Sequence, residues 1–376
     1  MDQGPSAAGR VTDGRHGRLP GFPWDSLSEA TETARAHPDG IVDLSVGTPV
    51  DPVPEPIQRA LASVAELPGY PTTHGTATLR AAAVDALRRR HEITGVPQDA
   101  VLPTIGSKEL VAWLPTLLGA GTGDLVVIPE LAYPTYEVGA RLAGAEVVRS
   151  DGLTSVGPRR TAIVWLNSPS NPTGRVLPVE HLRKVVDWAR ERGAIVVSDE
   201  CYLALGWDAE PVSVLHPSVH GGRLDGLLAV HSLSKSANLA SYRAGFVTGD
   251  PSLVAKLLAV RKHAGMMVPR PVQEAMTVAL ADDASLAKQR KRYAARREVL
   301  REALLAAGFR VDHSEAGLYL WATRDQDAWA DVAWLAERGV LVAPGTFYGP
   351  GGTRHVRVAL TASDERVAAA AHRLRR

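Results

Sequence analysis

The chain is poor in several features, and each shortage excludes a class of protein. Its 376 residues contain one cysteine, Cys201, so no disulfide can form within the chain, and a reducing, cytoplasmic environment is expected. No apolar run is long enough to cross a membrane. The histidines lack the spacing of metal ligands, so no metal site is expected.

Neither positive nor negative charge is in excess. Lysine and arginine number 42 against 41 aspartates and glutamates, a formal net charge of +1, and no basic stripe with interleaved aromatics suggests nucleic-acid binding. Apolar residues make up 45% of the chain and charged residues 22%, which is typical of a globular protein. At this length the chain can bury a large core and form two domains.

Hydrophobic patterning divides the chain into three parts. Residues 1–18 are polar, rich in glycine and arginine, and lack the apolar centre of a signal peptide, which predicts a disordered segment. From about residue 100, short apolar runs alternate with helical segments, which predicts an α/β fold with a largely parallel sheet flanked by helices. A long helical region from Pro271, followed by short strands and helices, predicts a smaller α+β domain. We therefore expect a large domain over residues 46–270 and a small domain formed by 19–45 and 271–376.

Lys235 has the clearest chemical implication of any residue. It follows a short apolar run in the segment HSLSK (231–235), with Ser232 and Ser234 beside it and Arg243 shortly after. A lysine amine can condense with the aldehyde of pyridoxal 5'-phosphate, and hydroxyl and guanidinium groups can hold the phosphate of that cofactor. The segment alone suits a surface lysine in a serine-rich loop equally well, so the interpretation depends on partners elsewhere.

Further candidate residues follow other apolar runs, where the ligand-binding edge of a parallel sheet would lie. Asn171 lies in the turn NSPSNPTG (167–174), Asp199 and Tyr202 follow the run that begins at Ala194, and Arg357 interrupts the apolar segment VRVAL (356–360). Taken singly, these residues also suit an Asn-Pro turn, a helix-capping aspartate and an outward-facing arginine. Cys201 is interpreted as a packing residue.

Taken together, these residues resemble those of the class I/II aminotransferases of fold type I, over nearly the whole chain beyond residue 19. The resemblance lies in the order and spacing of Asn171, Asp199, Tyr202, Lys235, Arg243 and Arg357. It implies a large domain that binds pyridoxal 5'-phosphate, a smaller α+β domain and an amino-transfer reaction between amino acids and 2-oxo acids.

The resemblance also implies catalytic roles around the cofactor ring. Lys235 would attach to the cofactor aldehyde and then transfer the proton between substrate and cofactor. Asp199 would pair with the ring nitrogen and keep it protonated. Tyr202 and Asn171 would donate hydrogen bonds to the phenolate oxygen, and Tyr133 would stack on the ring.

The cofactor phosphate and the substrate carboxylate have their own implied partners. The phosphate would be bound by the side chains and helix-terminal amides of Ser107, Lys108, Ser232, Ser234 and Arg243. Arg357 would bind the substrate α-carboxylate as a bidentate fork beside Asn171, and the missing Cβ of Gly47 would permit close approach. Tyr70 would reach the phosphate of a neighbouring subunit, which implies a homodimer with shared active sites.

A narrower resemblance points to the substrate. The segments LPGFPWD (19–25), VDLSVGTPVDP (42–52), ELAYPTYEVG (130–139) and residues 232–246 resemble the actinobacterial N-succinyldiaminopimelate aminotransferases of lysine biosynthesis. The implied reaction converts N-succinyl-LL-diaminopimelate and 2-oxoglutarate into N-succinyl-2-amino-6-oxopimelate and glutamate. Lys262 and Arg270 are candidates for binding the acidic tail of the substrate.

Two alternatives remain open, and a third, a transcription regulator, is not expected. The same fold could act on aspartate, aromatic or secondary-metabolite amino acids, or it could catalyse another reaction of the same cofactor, such as β-elimination or decarboxylation. A transcription regulator that retains the cofactor site would carry an N-terminal DNA-binding domain, and the segment before residue 19 is too short for one.

Overall fold

The computed structural model describes residues 19–375, and the predicted disordered segment 1–18 lies outside them. The helices are α1 Ser28–Arg35, α2 Glu55–Ser63, α3 Ala77–His91, α4 Gly106–Leu117, α5 Thr135–Ala143, α6 Val179–Arg192, α7 Pro217–His220, α8 Leu233–Ser236, α9 Pro251–Ala264, α10 Arg270–Ala281, α11 Asp283–Ala306, α12 Ala328–Glu337 and α13 Asp364–Leu374. The strands are β1 Val42–Asp43, β2 Val101–Ile105, β3 Leu125–Ile128, β4 Glu146–Arg149, β5 Thr161–Asn167, β6 Ile195–Asp199, β7 Leu227–Ser232, β8 Ala244–Gly249, β9 Arg310–Asp312, β10 Tyr319–Thr323, β11 Val340–Leu341, β12 Ala343–Pro344 and β13 Val356–Ala359. No helix in this described range is long and apolar enough for a membrane span.

A seven-stranded sheet, in the order β2-β8-β7-β6-β5-β3-β4, forms the larger body of the fold. Only β8 runs antiparallel to its neighbours, so the predicted largely parallel sheet is confirmed. Helices cover the sheet because its inner strands are largely apolar: every residue of β3, β7 and β8 is buried. The parallel strands β5, β6 and β7 end at one edge, where Asn167 pairs in register with Asp199.

The C-terminal part of the chain forms two smaller sheets. Strands β12-β13-β10-β9 form an antiparallel sheet, and β1 pairs in parallel with β11, which brings the N-terminal residues into the same core. Tyr202, from the loop after β6, packs into this core as well. The boundaries of the two predicted domains remain a prediction.

The long helical region that the sequence predicts from Pro271 is two helices. Asp282 separates α10 from α11, and its side chain accepts a hydrogen bond from the Ser285 backbone N–H at 2.9 Å. An aspartate that caps a helix in this way starts a new helix instead of continuing the old one. The edge strand β4 and the short strands β9 and β12 were not predicted, because segments of two to four residues carry little periodicity.

Arg296 on α11 links the loop after β1 to the C-terminal helix. Its guanidinium donates two hydrogen bonds to Asp51, at 2.7 and 2.8 Å, and one to Asp364 at 2.6 Å. The side chains of Arg296 and Asp51 are only 3% and 8% exposed. Burial raises the pKa of Asp51, but the hydrogen bonds from Arg296 and Gln289 outweigh it, so the pKa lies below its ordinary value.

We expect Arg296→Met to lower the free energy of unfolding by about 3 kcal/mol, because it removes both hydrogen bonds that a buried carboxylate accepts from Arg296 and leaves, of its ion pairs, only the longer one with Arg292 at 3.4 Å. A urea titration at neutral pH measures this, with Lys288→Met on an exposed position of the same helix as control. The stabilisation from the lowered Asp51 pKa is complete above about pH 3.9 and is lost as the pH falls through the folded-state value, so the variant should lose less stability over that acid range. Equal effects of the two substitutions would contradict this role.

Candidate active site

A cavity of about 440 Å³ opens beyond the carboxyl ends of β5, β6 and β7. Nearly all the predicted site residues line it: Gly47, Ser107, Lys108, Tyr133, Asn171, Asp199, Tyr202, Ser232, Ser234, Lys235, Arg243 and Arg357. Tyr70 does not line it, and its side chain lies 96% exposed on the surface. Residues from widely separated parts of the chain therefore meet at the sheet edge where ligands of parallel sheets bind.

Lys235 lies in the short helix α8, immediately after β7. Its amine donates a hydrogen bond to the backbone oxygen of Gly47. Burial lowers the pKa of the amine, and the positive charges of Arg357 and Arg243 lower it further. Tyr319 acts in the opposite direction but does not outweigh burial. A lowered pKa leaves more of the amine unprotonated at neutral pH, and only the unprotonated amine can act as a nucleophile or accept a proton.

Asp199 is the last residue of β6, and its carboxylate is buried. One oxygen accepts a hydrogen bond from the Tyr136 hydroxyl at 2.8 Å, and the other accepts one from the Cys201 backbone N–H at 3.2 Å. Burial raises the pKa of this carboxyl, and no cation among the described residues offsets the burial. A carboxylate buried with neutral partners would gain from a cationic N–H placed in the cavity, which is what a protonated ring nitrogen provides.

A second group of residues forms an anion cradle at the start of α4. The helix opens at Gly106 directly after β2, so the amides of Ser107 and Lys108 lie in its first turn. A Cβ on Gly106 would lie 2.2 Å from a terminal nitrogen of Arg243, so only glycine lets this guanidinium lie against the helix N-terminus. Helix amides and a guanidinium, together with the buried hydroxyls of β7 and α8, are the donors that a phosphate requires.

Arg357 points into the protein from the middle of β13, so the alternative of an outward-facing arginine is wrong. It is 2% exposed, and its terminal nitrogens donate to the Asn171 side-chain oxygen at 2.9 Å and to the Ser45 backbone oxygen at 2.6 Å. Its guanidinium carbon lies 3.9 Å from the ring centroid of Tyr319. Because these partners are neutral, the positive charge remains available to a carboxylate in the cavity.

The aromatic and amide residues around the cavity hold one another in place. The Tyr202 hydroxyl lies 3.1 Å from the Tyr319 hydroxyl, and a Cβ on Gly47 would lie 2.2 Å from that same Tyr319 oxygen. Tyr133 packs edge-on against Tyr136 with ring centroids 5.7 Å apart, and burial raises the pKa of Tyr133 to about 12. A side chain at position 47 would therefore displace Tyr319.

Sequence reasoning missed several residues of this cavity. They are Phe22, Trp24, Val46, Thr48, Tyr136, Asn167 and Tyr319. Asn167 could have been found, because it ends β5 next to Asp199 and the strand-end rule applies to it equally. Cys201 lines the cavity too; burial raises the pKa of its thiol, which keeps it protonated and unreactive.

Lys262 and Arg270, the candidates for binding a substrate tail, do not line this cavity. Lys262 lies on α9, and Arg270 at the start of α10 forms an ion pair with Glu274 at 3.2 Å. Within one protomer, neither residue is placed to contact a ligand beside Lys235.

Comparison with known proteins assigns this arrangement to a family. Residues 39–374 match the family model for aminotransferases of class I and II. The chain is 69% identical to a protein of Mycobacterium tuberculosis named as a probable aminotransferase, over 95% of this chain and 85% of that protein. It is 58% identical to the 4-dedimethylamino-4-oxo-anhydrotetracycline transaminase OxyQ of Streptomyces rimosus, over 95% of this chain and 99% of the relative.

A solved structure shows the same fold. A probable N-succinyldiaminopimelate aminotransferase from Thermus thermophilus superposes with a TM-score of 0.84 at 30% identity, covering 94% of this chain and 99% of the other.

Proposed function

Because this chain belongs to the class I and II aminotransferases, which depend on pyridoxal 5'-phosphate, we propose that its amino donor is N-succinyl-LL-diaminopimelate and its acceptor 2-oxoglutarate. The products are N-succinyl-2-amino-6-oxopimelate and glutamate. The observation that carries this proposal is the basic character of the cavity, which is lined by four basic side chains and one carboxylate: Lys108, Lys235, Arg243, Arg357 and Asp199. Such a site favours a substrate that brings more than one negative charge.

The residues present fit the cofactor. Arg243, the serines of β7 and α8, and the first turn of α4 would hold its phosphate, and Asp199 would hold its ring nitrogen. When bound, the cofactor supplies a ring that accepts electrons from the substrate α-carbon. Asp199 strengthens that property because its negative charge, enclosed away from water, stabilises a proton on the ring nitrogen.

Lys235 and Arg357 act on the substrate itself. Arg357 binds the α-carboxylate through its terminal nitrogens and so fixes the orientation of the α-carbon. The Lys235 amine, with a pKa lowered by burial, would accept and hold the proton that this carbon loses. Tyr319 covers one face of the Arg357 guanidinium and keeps water from it, which strengthens the interaction with the carboxylate.

Lys108 is the cation left for the far end of the substrate. Asp199 would pair with the ring nitrogen of the cofactor, Arg243 with its phosphate, and Arg357 with the substrate α-carboxylate. The Lys108 amine lies 5.6 Å from the ring centroid of Phe22, where the N-terminal segment meets the cavity. Burial lowers the pKa of this amine, and the nearby Arg243 adds to the effect. A carboxylate at the far end of the substrate would offset the repulsion between the Lys108 and Arg243 charges.

We expect Lys108→Met to raise KM for N-succinyl-LL-diaminopimelate and for glutamate by about tenfold, the value of one charge-assisted hydrogen bond. KM for phenylalanine should stay within about twofold, because this substrate has no distal carboxylate. Steady-state kinetics on the three substrates measures the difference, with Lys262→Met as the matched control away from the cavity. An equal rise in all three values would mean that Lys108 acts on the cofactor alone.

The substrate assignment is tested by half-reactions. The protein with its cofactor is mixed separately with glutamate, N-succinyl-LL-diaminopimelate, aspartate and phenylalanine, and conversion to the pyridoxamine form is followed by absorbance. Fast conversion with glutamate and the succinylated compound is expected. Fast conversion with aspartate or phenylalanine, and none with the succinylated compound, would discard this substrate and leave the amino-transfer reaction in place.

A second candidate substrate is a polycyclic ketone. It is favoured by the 58% identity to a transaminase whose name specifies 4-dedimethylamino-4-oxo-anhydrotetracycline. If the ketone is a substrate, mixing it with the pyridoxamine form of the protein should restore the original cofactor absorbance as fast as 2-oxoglutarate does. No return with the ketone would exclude this candidate.

We also propose a homodimer with shared active sites, as members of this family generally act as dimers. Tyr70 supports the proposal, because its almost fully exposed ring is absent from the cavity of its own protomer. In a dimer its hydroxyl would donate to the phosphate held by the partner. Sedimentation equilibrium measures the mass in solution, and a monomer in the presence of cofactor would contradict the shared site.

A further inference from the structure

A second cavity, of about 310 Å³, lies beside the candidate active site and beyond the carboxyl ends of β3, β4 and β5. Its volume is in the range of small-molecule sites. Apolar side chains form much of its lining, among them Val164 and Leu166 of β5, which are 2% and 6% exposed, and the half-buried Leu131 and Leu177. This lining can bury the body of an apolar ligand.

Polar and charged side chains also line this second cavity, and the arginine among them lacks an anionic partner. Arg175 and His313 are exposed, and His181 is half-buried. Among residues 19–375 no carboxylate pairs with the Arg175 guanidinium. Asp151 is the acid of this lining, and one of its oxygens accepts the Glu130 backbone N–H at 3.0 Å.

Arg175, His181 and Asp151 line the same cavity, and the charges of Arg175 and Asp151 both act on the His181 imidazole. Burial lowers the pKa of the imidazole, and Arg175 lowers it further, whereas Asp151 opposes them. An anionic group placed between Arg175 and His181 would pair with the guanidinium and favour protonation of the imidazole. The polar part of the second cavity therefore favours an anion, and the apolar part favours a hydrocarbon body.

The second cavity shares a wall with the first. Asn167 lines both cavities, and its side-chain amide donates to the Asp199 backbone oxygen at 2.9 Å. Trp165, which lines the second cavity, stacks on Tyr136 with ring centroids 4.7 Å apart, and the Tyr136 hydroxyl donates to the Asp199 carboxylate at 2.8 Å. The buried indole N–H of Trp165 has no hydrogen-bond partner in the described part of the chain.

We propose that this second cavity is a separate ligand site for a small carboxylate with an aromatic or aliphatic body. The carboxylate pairs with Arg175 at the opening, and the body packs between β5 and the loop that contains Leu177. The occupant lies against the segment of β5 that contains Trp165 and Asn167; the Asn167 side chain bonds the Asp199 backbone, and the Trp165 ring packs on Tyr136, which bonds the Asp199 carboxylate. Its binding requires neither the cofactor nor Arg357.

The test uses 2-naphthoate as the probe and isothermal titration calorimetry on the protein with its cofactor bound. Arg175→Gln should weaken binding about tenfold, because it removes one charge-assisted hydrogen bond. Leu177→Trp should abolish binding by filling the apolar part of the second cavity. Arg357→Gln, which changes only the first cavity, should leave the affinity within about twofold.

Two results would overturn the proposal. One is the absence of binding to the unmodified protein at millimolar 2-naphthoate. The other is a loss of binding in Arg357→Gln with full binding in Arg175→Gln, which would place the carboxylate in the active site alone. Far-ultraviolet circular dichroism and the cofactor absorbance of each variant establish that it is folded and loaded. Because neither result depends on which amino acid reacts, the outcome is independent of the substrate proposal.

Discussion

Replacement of Lys235 by alanine is expected to lower kcat for amino transfer by about 10⁴-fold, the upper range for loss of a positioned proton-transfer group. Of the described residues, the variant leaves Lys108 as the lysine that lines the cavity, and its amine lies beside the Phe22 ring. The cofactor should still bind, because its phosphate partners on β7, α4 and Arg243 are unchanged. Steady-state kinetics with glutamate and 2-oxoglutarate measures the loss.

Covalent attachment provides a measurement that is independent of activity. Borohydride reduction followed by peptide mass analysis should place the cofactor on Lys235 in the unmodified protein and on no lysine in the alanine variant. Lys262→Ala on α9 is the matched control and should keep full activity, because this side chain does not line the cavity. Attachment at another lysine, or normal turnover in the alanine variant, would refute the assigned role.

Replacement of Asp199 by asparagine should lower kcat by about 10³-fold, comparable to removing a key electrostatic partner from an enclosed site. Asparagine preserves the shape of the side chain but removes the charge that stabilises a proton on the ring nitrogen. Burial makes this charge effective, since the carboxylate is covered by Tyr136 and by the backbone of Cys201. A pH titration of the cofactor absorbance should show the ring nitrogen losing its proton at lower pH than in the unmodified protein.

Tyr136→Phe provides a graded companion to this substitution. It removes one hydrogen bond to Asp199 but leaves the charge, so a fall in kcat of about tenfold is expected. Asp225→Asn, at an exposed loop position, is the charge-matched control and should change neither kcat nor the titration. An asparagine variant at position 199 with an unshifted titration would show that this carboxylate does not contact the ring nitrogen.

Several features of the site follow from short stretches of sequence. Lys235 and Asp199 each lie just after an apolar run, and parallel strands bring their carboxyl ends to one edge, so their proximity could be inferred without the structure. The glycine before Ser107 marked the opening of a helix, and the helix begins there. These inferences succeeded because the necessary information lies within a few neighbouring residues.

Other features depend on contacts between distant parts of the chain, and only the tertiary structure reveals them. Tyr319 reaches Arg357 because β10 pairs antiparallel with β13, and Phe22 reaches Lys108 because the N-terminal segment folds back over the cavity. No local pattern encodes such pairings, since the choice of strand partner depends on which apolar faces the whole chain can bury together.

The sequence by itself determined the reaction class, the cofactor and the residues that end the central strands. The tertiary structure decided the orientation of Arg357, the placement of Lys262 and Arg270 outside the cavity, and the second cavity behind Asn167 and Trp165. The physical reason is that a reactive residue at the end of a strand can be recognised from its sequence neighbours. The shape and charge of a cavity arise only when distant segments pack against one another.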